Sequence, residues 1–344
     1  MKRTTVGGLT AALTASVLFL PGTATGGPAL AAPAAEPPSL DGLRVLLTND
    51  DSAQAQDTAR GTDGRGLYEL RQELCAAGAD VVVVAPWSQQ SGAGGRVTTP
   101  GGRPVPITVQ AVASPAEYAG DCGDAPSGGP VYGVCVAASP CTATSPSASP
   151  SDAVLVGLSR VVPDHYWSDG PDVVLSGINF GQNVGELVNH SGTVGAAVTA
   201  QEQHVPSVAF SAEVSFADLT ATPFAQTAEF AVGLIERLVE VDALSRADAL
   251  NVNFPFVGAD EQLGRPVLTV TGAATDIAFD YSGDVGVEGG TYQLVVGAPT
   301  DEPRRRADTT ALRNNDIAIT PLDGDWTAHT DGDRYRRILQ GWRP

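Results

Sequence analysis

The chain has 344 residues, of which 42% are hydrophobic and 17% are charged, so it contains enough apolar material for a core and is not disordered throughout. The formal net charge is −19, and Lys2 is the only lysine. This charge balance argues against a nucleic-acid polymer as partner, because such binding depends on phosphate neutralisation by Lys and Arg. A small phosphorylated substrate is compatible with the negative charge of the chain if a bound cation supplies positive charge locally.

The N-terminus has the pattern of an export signal. Two basic residues precede an apolar run from Val6 to Leu20, and Ala29-Leu30-Ala31 matches an A-x-A cleavage site. We therefore expect a signal peptide at 1–31, a linker at 32–41, and a secreted or extracytoplasmic mature protein. A membrane anchor is the weaker alternative, because Gly and Pro interrupt a stretch that is short for a span. We expect no membrane association of the mature form.

From about Gly42, short apolar runs alternate with segments of helical periodicity. Repeated strand and helix units with Val-, Leu- and Ile-rich strands predict an α/β fold with a doubly wound, mostly parallel sheet in a core at 42–255. The strands are predicted at 44–48, 81–85, 172–176, 207–210 and 249–253, and the helices at 66–77, 193–204 and 223–239. We expect Gly78 to end the first helix and Thr222, before Pro223, to cap the last.

Two regions depart from this alternation. Residues 111–150 are rich in Ala, Ser, Pro, Gly and Cys, which favours an insertion or lid rather than a core element. Residues 256–344 contain short β segments between Gly, Asp and Arg clusters. We interpret them as a β-rich C-terminal extension, either part of the same domain or an oligomerisation arm.

The four cysteines belong to a chain that we expect in an oxidising compartment. We expect at least one disulfide among Cys122, Cys135 and Cys141, and the sequence does not decide the pairing. Cys75 falls within a predicted helix and is interpreted as a buried small hydrophobic residue rather than as a catalytic thiol.

Polar residues follow two predicted strands at the same edge of the sheet. Asp50 and Asp51 follow the first strand, and Asn179 and Asn183 follow the strand at 172–176. Because open α/β sheets bind ligands at the carboxyl ends of their strands, these side chains are candidates for one site. Each segment also has a plain interpretation, a solvated turn or helix cap for the aspartates and a Gly/Asn-rich connection for the asparagines.

Two more segments lead to this edge. Ser91 lies in the loop after the strand at 81–85, and Ser191, Gly192 and Thr193 open a predicted helix, where backbone N–H groups suit a phosphate. Taken singly, Ser91 is typical of a turn and Ser191 of a helix cap. Together the segments offer two carboxylates, one hydroxyl and one amide carbonyl, which suit Mg²⁺, Mn²⁺ or Ca²⁺ better than zinc or copper. We expect the side chain of His190 to line this site as part of its wall rather than to act as a general base.

These motifs resemble the SurE family, which is known for metal-dependent removal of phosphate from nucleoside monophosphates. The matching segments, in chain order, are 46–51, 83–92, 171–185, 191–197 and 206–211, with weaker matches at 251–255 and 316–322. The resemblance implies a Rossmann-like core and homodimers or homotetramers formed through an exchanged C-terminal segment.

The resemblance also implies roles for individual residues. One divalent metal ion would be held by Asp50, Asp51, Ser91 and Asn179, and the phosphate would face Asn183, Ser191, Gly192 and Thr193. The residues implied in catalysis are Asp50, Asp51, Asn183, Ser191 and Thr193. The sequence departs from the family where Ser52 replaces the usual glycine, in the extra stretch from Ala53 to Thr62, in the Cys-containing insertion, and in the export signal.

The expected reaction is hydrolysis of a nucleoside monophosphate, as in a 5'/3'-nucleotidase, by water that the metal ion activates. Attack by Asp50, which would give an acyl phosphate, stays open. The alternatives are a broad-specificity secreted acid phosphatase or exopolyphosphatase on the same site. A non-catalytic secreted binding protein is an alternative of another class.

Overall fold

The structure is a computed structural model that describes residues 40–55, 64–284, 286–327 and 340. The expected signal peptide, nearly all of the expected linker and most of the stretch from Ala53 to Thr62 lie outside the described residues. Within the described part of the chain, no helix is both long enough and apolar enough to cross a bilayer.

The described residues form eleven strands, nine in one sheet and two in a separate hairpin. In chain order the strands are β1 Arg44–Thr48, β2 Asp80–Pro86, β3 Thr108–Ala111, β4 Val131–Cys135, β5 Val173–Phe180, β6 Ser207–Ala212, β7 Ala249–Phe254, β8 Pro266–Leu268, β9 Ala278–Ser282, β10 Gln293–Gly297 and β11 Ile317–Leu322. The α-helices are α1 Arg65–Ala76, α2 Pro150–Val156, α3 Val162–His165, α4 Gly192–Glu202, α5 Phe224–Glu240 and α6 Asp308–Arg313.

The strand order of the sheet is β3-β4-β2-β1-β5-β6-β7-β11-β8. Neighbouring strands from β4 to β7 are parallel, whereas β3 and β11 run antiparallel to β4 and β7. This confirms the predicted α/β fold with a mostly parallel sheet. The chain moves outward from β1 to β2 on one side and from β5 to β7 on the other, so the order reverses between β1 and β5.

Helices cover both faces of the sheet, as near-continuous apolar strands require. On one face Tyr68, Phe210 and Ile235 are fully buried between the sheet and the helices α1 and α5. On the other face Leu46 and Val174 pack against α2 and α4. Because both faces of the sheet are packed, the carboxyl ends of β1 and β5 have a fixed position relative to each other.

Two helix boundaries test the sequence interpretation. α1 ends at Ala76 and Gly78 has a φ of +94°, which confirms Gly78 as the residue that ends this helix. At α5 the prediction is wrong by one residue. Pro223 occupies the N-cap position, and the hydroxyl of Thr222 donates to the carbonyl of Leu219 instead of capping the helix.

The interpretation of 111–150 as an insertion or lid without a core element is wrong in one part. Val131–Cys135 forms β4, which pairs with β2 inside the sheet, and Val134 and Cys135 are fully buried. The segments on both sides of its five residues are rich in Gly, Ser and Pro, so the composition of 111–150 as a whole does not indicate a strand.

The four cysteines form two disulfides, Cys75–Cys122 and Cys135–Cys141. The second confirms the expected bridge among the three cysteines of the insertion. The interpretation of Cys75 as a buried small hydrophobic residue is wrong, because α1 places its sulfur against that of Cys122. A partner 47 residues away leaves no local signal in the sequence around Cys75.

The residues after β7 are divided between the main sheet and a hairpin. β11 pairs with β7 and β8 pairs with β11, so both extend the sheet. Among the residues that the structure describes, β9 and β10 pair only with each other. Helix α6 is an element that the sequence prediction missed.

Candidate active site

The candidate residues lie where the strand order reverses between β1 and β5. In open α/β sheets, ligands bind in the crevice outside the carboxyl ends of the strands at such a point. Asp50 and Asp51 follow β1 after Asn49, and Asn179 lies near the end of β5. None of the three side chains is more than 7% exposed.

Asp50 accepts hydrogen bonds through both oxygens of its carboxylate. Thr193 Oγ1 donates to Oδ1 at 2.7 Å, and the backbone N of Thr193 donates to Oδ2 at 3.2 Å. Burial raises the pKa of Asp50, while hydrogen bonds from Thr193 and from the backbone of Gly192 lower this pKa and oppose the shift. A positive charge beside Asp50 would further stabilise the charged carboxylate.

Asp51 joins the end of β1 to the end of β5. Its Oδ2 accepts a hydrogen bond of 2.7 Å from the backbone N of Phe180, and its own backbone N donates to Asn49 Oδ1 at 3.0 Å. The side chain is fully buried. The carboxylate of Asp51 therefore lies directly beside the strand that carries Asn179.

The amide of Asn179 has a defined orientation. Its Nδ2 donates to the carbonyl of Gly181 at 2.6 Å. With the nitrogen engaged in this way, Oδ1 is the atom with which Asn179 would contact a cation.

The N-terminus of α4 packs on Asp50. Ser191 is the N-cap, and its Oγ accepts a hydrogen bond of 3.1 Å from the backbone N of Val194. Gly192 and Thr193 are the first two residues of the helix, and both contact the carboxylate of Asp50. The structure thus brings Gly192 and Thr193 to the paired aspartates and gives the hydroxyl of Ser191 a capping role.

Ser91 lies in a loop that reaches the same place from β2. The backbone N of Gln90 donates to the carbonyl of Asp50 at 2.7 Å, and the backbone N of Gly94 donates to the carbonyl of His190 at 3.0 Å. Ser91 itself is exposed, unlike the other three predicted metal ligands. Its backbone is therefore close to the site, and its side chain is the solvent-facing member of the set.

Asn183 lies farther along the same edge, beside β6 and β7. Its Nδ2 donates to Ser211 Oγ at 2.9 Å, its backbone N donates to Asn253 Oδ1 at 2.7 Å, and its carbonyl accepts from Asn251 Nδ2 at 2.8 Å. Ser211, Asn251 and Asn253 are functional candidates that were not predicted from the sequence. Two asparagines at alternate positions of an otherwise apolar strand are the signal that points to them. A phosphate-binding role for Asn183 stays a prediction.

Ser52 stands where the family usually has glycine after the paired aspartates. Its φ is +100°, a left-handed backbone that serine adopts only with strain. The Oγ of Ser52 lies 2.9 Å from the carbonyl of Gln54, to which it donates, and accepts from the backbone N of Gln54 at 3.1 Å. A local turn thus compensates for part of the strain of this backbone.

A cavity of about 1140 Å³ adjoins the site on the outer side of α4. Gly92, His190 and Ser191 line it near the site, and Arg304 and Trp326 line it farther away. The paired aspartates and Asn179 do not line this cavity. It is therefore a neighbouring groove, of which His190 forms a wall, and is separate from the candidate metal ligands.

A model of the family described as Survival protein SurE matches residues 45–276, a span that contains every candidate residue named above. The chain belongs to the SurE family. A relative named 5'-nucleotidase SurE from Desulfovibrio desulfuricans is 34% identical over 290 residues, which cover 83% of this chain and 95% of the relative. One of the same name from Methylocella silvestris is 30% identical over 297 residues, 86% of this chain and all of the relative.

The fold comparison agrees with this membership of the SurE family. A crystal structure of the SurE protein from Aquifex aeolicus matches with a TM-score of 0.60 and 24% identity, and the match covers 86% of this chain and 99% of that one. The similarity supports the shared fold.

The donor atoms at the SurE-family motifs suit a hard divalent cation. Asp50 and Asp51 place two adjacent carboxylates in a buried position, which carries a large desolvation cost unless positive charge is nearby. Asn179 adds an amide oxygen beside them, and Ser91 would add a hydroxyl. Oxygen donors of these kinds are the usual ligands of Mg²⁺, Mn²⁺ and Ca²⁺.

Proposed function

We propose that this SurE-family chain is a metal-dependent phosphomonoesterase that hydrolyses nucleoside monophosphates. The observation that carries the proposal is the burial of Asp50 and Asp51 side by side at the reversal of the strand order, with the N-terminus of α4 packed on Asp50. The relatives named 5'-nucleotidase SurE support the choice of substrate class.

The proposed metal ligands are Asp50, Asp51, Asn179 and Ser91. A bound Mg²⁺ or Mn²⁺, with Ca²⁺ as a further option, would neutralise phosphate charge and lower the pKa of water. Thr193 holds Asp50, and the backbone N of Phe180 holds Asp51, so both carboxylates are oriented before any ligand arrives.

The residues of the chain would orient the phosphate. Gly192 and Thr193 lie at the N-terminus of α4, where the positive end of the helix dipole would attract the phosphate while the N–H groups of these two residues hold Asp50. Asn183 lies on the same edge of the sheet. Both oxygens of Asp50 accept hydrogen bonds from Thr193, which favours a role as ligand over direct attack on phosphorus.

The proposal is tested by assaying the purified chain on nucleoside monophosphates before and after EDTA, then with Mn²⁺ or Mg²⁺ restored. We expect EDTA to abolish phosphate release and the metal to restore it. Asp51→Asn should lose most turnover, whereas Asp169→Asn, an exposed aspartate outside the site, should keep it. Activity that is indifferent to chelation would rule out the metal mechanism, and inactivity under every metal condition would favour a non-catalytic binding protein.

A substrate panel separates the nucleotidase from its nearest alternatives. Nucleoside monophosphates, a generic phosphate ester and polyphosphate would be compared at acidic and neutral pH. The net charge of −19 disfavours a long polyanion, so we expect polyphosphate to be a poor substrate. A preference for polyphosphate, or for generic esters at acidic pH, would replace the nucleotidase assignment.

We also infer export of the mature protein, on the basis of the N-terminal pattern and the two disulfides, which persist in oxidising compartments. Expression of the full chain in a bacterial host, followed by mass spectrometry of the extracytoplasmic fraction, tests this. We expect a mature N-terminus at Ala32. Retention of residues 1–31 on a cytoplasmic product would contradict export.

We further infer a homodimer or homotetramer. Phe279 and Tyr281 of β9 face Val296 and Leu294 of β10 as cross-strand pairs, and all four side chains are at least 59% exposed. An apolar surface of this kind marks an interaction site. Light scattering should show an oligomer that Tyr281→Ser with Leu294→Ser reduces, while the neighbouring Asp280→Ser does not. A monomeric wild type would contradict the inference.

A further inference from the structure

The loop that carries Ser91 is held from outside by the Cys-containing insertion. We call residues 87–96 the Ser91 loop and residues 135–149, which include the Cys135–Cys141 disulfide, the bridged loop. The two loops are separate in sequence and meet above the carboxyl ends of β2 and β4.

The first contact involves Trp87, at the start of the Ser91 loop. Its backbone N donates to the carbonyl of Val134 at 2.9 Å, and its indole Nε1 donates to the carbonyl of Thr142 at 2.8 Å. The ring lies directly over Gly133 of β4, where a Cβ would be 2.6 Å from ring atom Cε3. The absence of a side chain at Gly133 thus allows the indole to reach the bridged loop.

The second contact involves Ser147, a bridged-loop residue that is 9% exposed. Its Oγ accepts a hydrogen bond of 3.1 Å from the backbone N of Ser88 and lies 3.1 Å from the carbonyl of Ser88, to which it donates. The carbonyl of Ala148 is a second acceptor for this hydroxyl, at 3.0 Å. One side chain therefore engages both backbone polar groups of Ser88.

The bridged loop also holds the far end of the Ser91 loop. Ser149 Oγ donates to the carbonyl of Arg96 at 2.5 Å. Between these fixed ends, the backbone N of Gln90 donates to the carbonyl of Asp50. Ser91, next to Gln90, is exposed, so its position depends on the backbone contacts of its loop, at the two ends as well as at Gln90 and Gly94, rather than on its own packing.

We propose that Trp87 and Ser147 are positioning residues of the metal centre, which hold the Ser91 loop against the bridged loop so that the hydroxyl of Ser91 is presented to the cation. The inference rests on the proposed function, because it presupposes a cation at Asp50 and Asp51. A ligand loop that is ordered before binding avoids the entropy loss of ordering at the binding step, and so binds the metal more tightly. The Cys135–Cys141 bridge contributes by restricting the loop that supplies Thr142 and Ser147.

The test measures metal binding without turnover. Mn²⁺ is titrated by calorimetry into the full-length chain and into the variants Trp87→Phe, Ser147→Ala and Cys135→Ser with Cys141→Ser. Trp87→Phe keeps an aromatic ring and removes only the Nε1 donor. We expect about tenfold weaker Mn²⁺ binding in each variant, the effect typical of losing a group that orients a metal ligand.

A matched control separates positioning from stability. Ser127→Ala removes another hydroxyl of the insertion, one that bonds to the carbonyl of Val81 and the backbone N of Gly129 and does not touch the Ser91 loop. Titrations are run below the unfolding temperature of every variant, and Ser127→Ala should bind Mn²⁺ as the wild type does.

The outcomes distinguish the inference from the proposed function. Unchanged Mn²⁺ affinity in Trp87→Phe and Ser147→Ala, beside a wild type that binds, would overturn the inference alone. An equal loss in Ser127→Ala would also overturn it, because the effect would then be general destabilisation. Absence of binding by the wild type to Mn²⁺, Mg²⁺ and Ca²⁺ would overturn the proposed function and this inference with it.

Discussion

Gly192 packs directly against the side chain of Asp50: a Cβ at position 192 would lie 2.8 Å from the Cβ of Asp50 and 2.9 Å from its Oδ2. Real Cβ atoms do not approach so closely, so Gly192→Ala must shift either α4 or Asp50. We expect turnover of a nucleoside monophosphate to fall by about a hundredfold, since misplacement of reacting groups by about 1 Å has an effect of this size.

Gly233→Ala is the matched control for Gly192→Ala. Gly233 lies within α5, where an added Cβ meets no atom within 4 Å. We expect unchanged turnover and a free energy of unfolding higher by about 0.5–1 kcal/mol, because alanine is the better helix former. If Gly192→Ala kept full activity, the close packing of α4 on Asp50 would be irrelevant to catalysis.

The hydroxyl of Thr193 provides a second prediction. Thr193→Val is nearly isosteric and removes the hydrogen bond of 2.7 Å to Asp50 Oδ1, while the backbone hydrogen bond to Oδ2 remains. A hydrogen bond to a charged group contributes about 1.5–3 kcal/mol, so kcat/KM should fall by about tenfold to a hundredfold. Thr193→Ser keeps the hydroxyl and should retain most activity. Equal losses in both variants would point to packing of the methyl group instead.

The left-handed backbone of Ser52 leads to a prediction about stability. Both Ser52→Ala and Ser52→Gly lose the side-chain hydrogen bonds to Gln54, but only glycine relieves the strain of a φ of +100°. We expect Ser52→Gly to be more stable than Ser52→Ala by about 1 kcal/mol in urea unfolding. An alanine variant at least as stable as the glycine variant would contradict a strained backbone at this position.

Glu213 makes stability depend on pH. Burial raises the pKa of Glu213 to about 7, opposed by a hydrogen bond from the backbone N of Phe256 and supported by the nearby Asp276 and Glu261. Because this folded-state pKa lies above the unfolded value, Glu213 contributes stability that is fully present below about pH 4.5 and is lost as pH rises through about 7.

Glu213→Gln removes this dependence. Between pH 4.5 and pH 7 we expect the wild type to lose up to about 3 kcal/mol more unfolding free energy than the variant, and less where solvent screens the carboxyl. Urea denaturation of both proteins at the two pH values gives the difference directly. Parallel pH profiles would show that Glu213 titrates as an ordinary surface carboxyl.

The sequence allowed much of the candidate site to be predicted, because strand ends in a parallel sheet share an edge. Asp50, Asp51 and Asn179 follow two neighbouring strands, and the helix that begins at Gly192 packs on the first of them. Each of these placements depends on local periodicity and on one topological rule.

The features that escaped prediction depend on contacts between distant segments. The pairing of Cys75 with Cys122 and the place of β4 inside the sheet are decided by packing and not by the local sequence. The contacts of Ser147 with Ser88 are of the same kind, since a serine in a Ser- and Pro-rich stretch does not reveal its partner 59 residues away.

The pairing of β11 with β7 has a consequence for biosynthesis. The parallel strands are complete once Phe254 has been made, but the strand that covers the open side of β7 begins only at Ile317. During synthesis β7 is therefore an unpaired edge with free N–H and C=O groups, a known starting point for aggregation. Chains that end before Ile317 would keep this edge exposed permanently, so a recombinant fragment needs β11 to stay in solution.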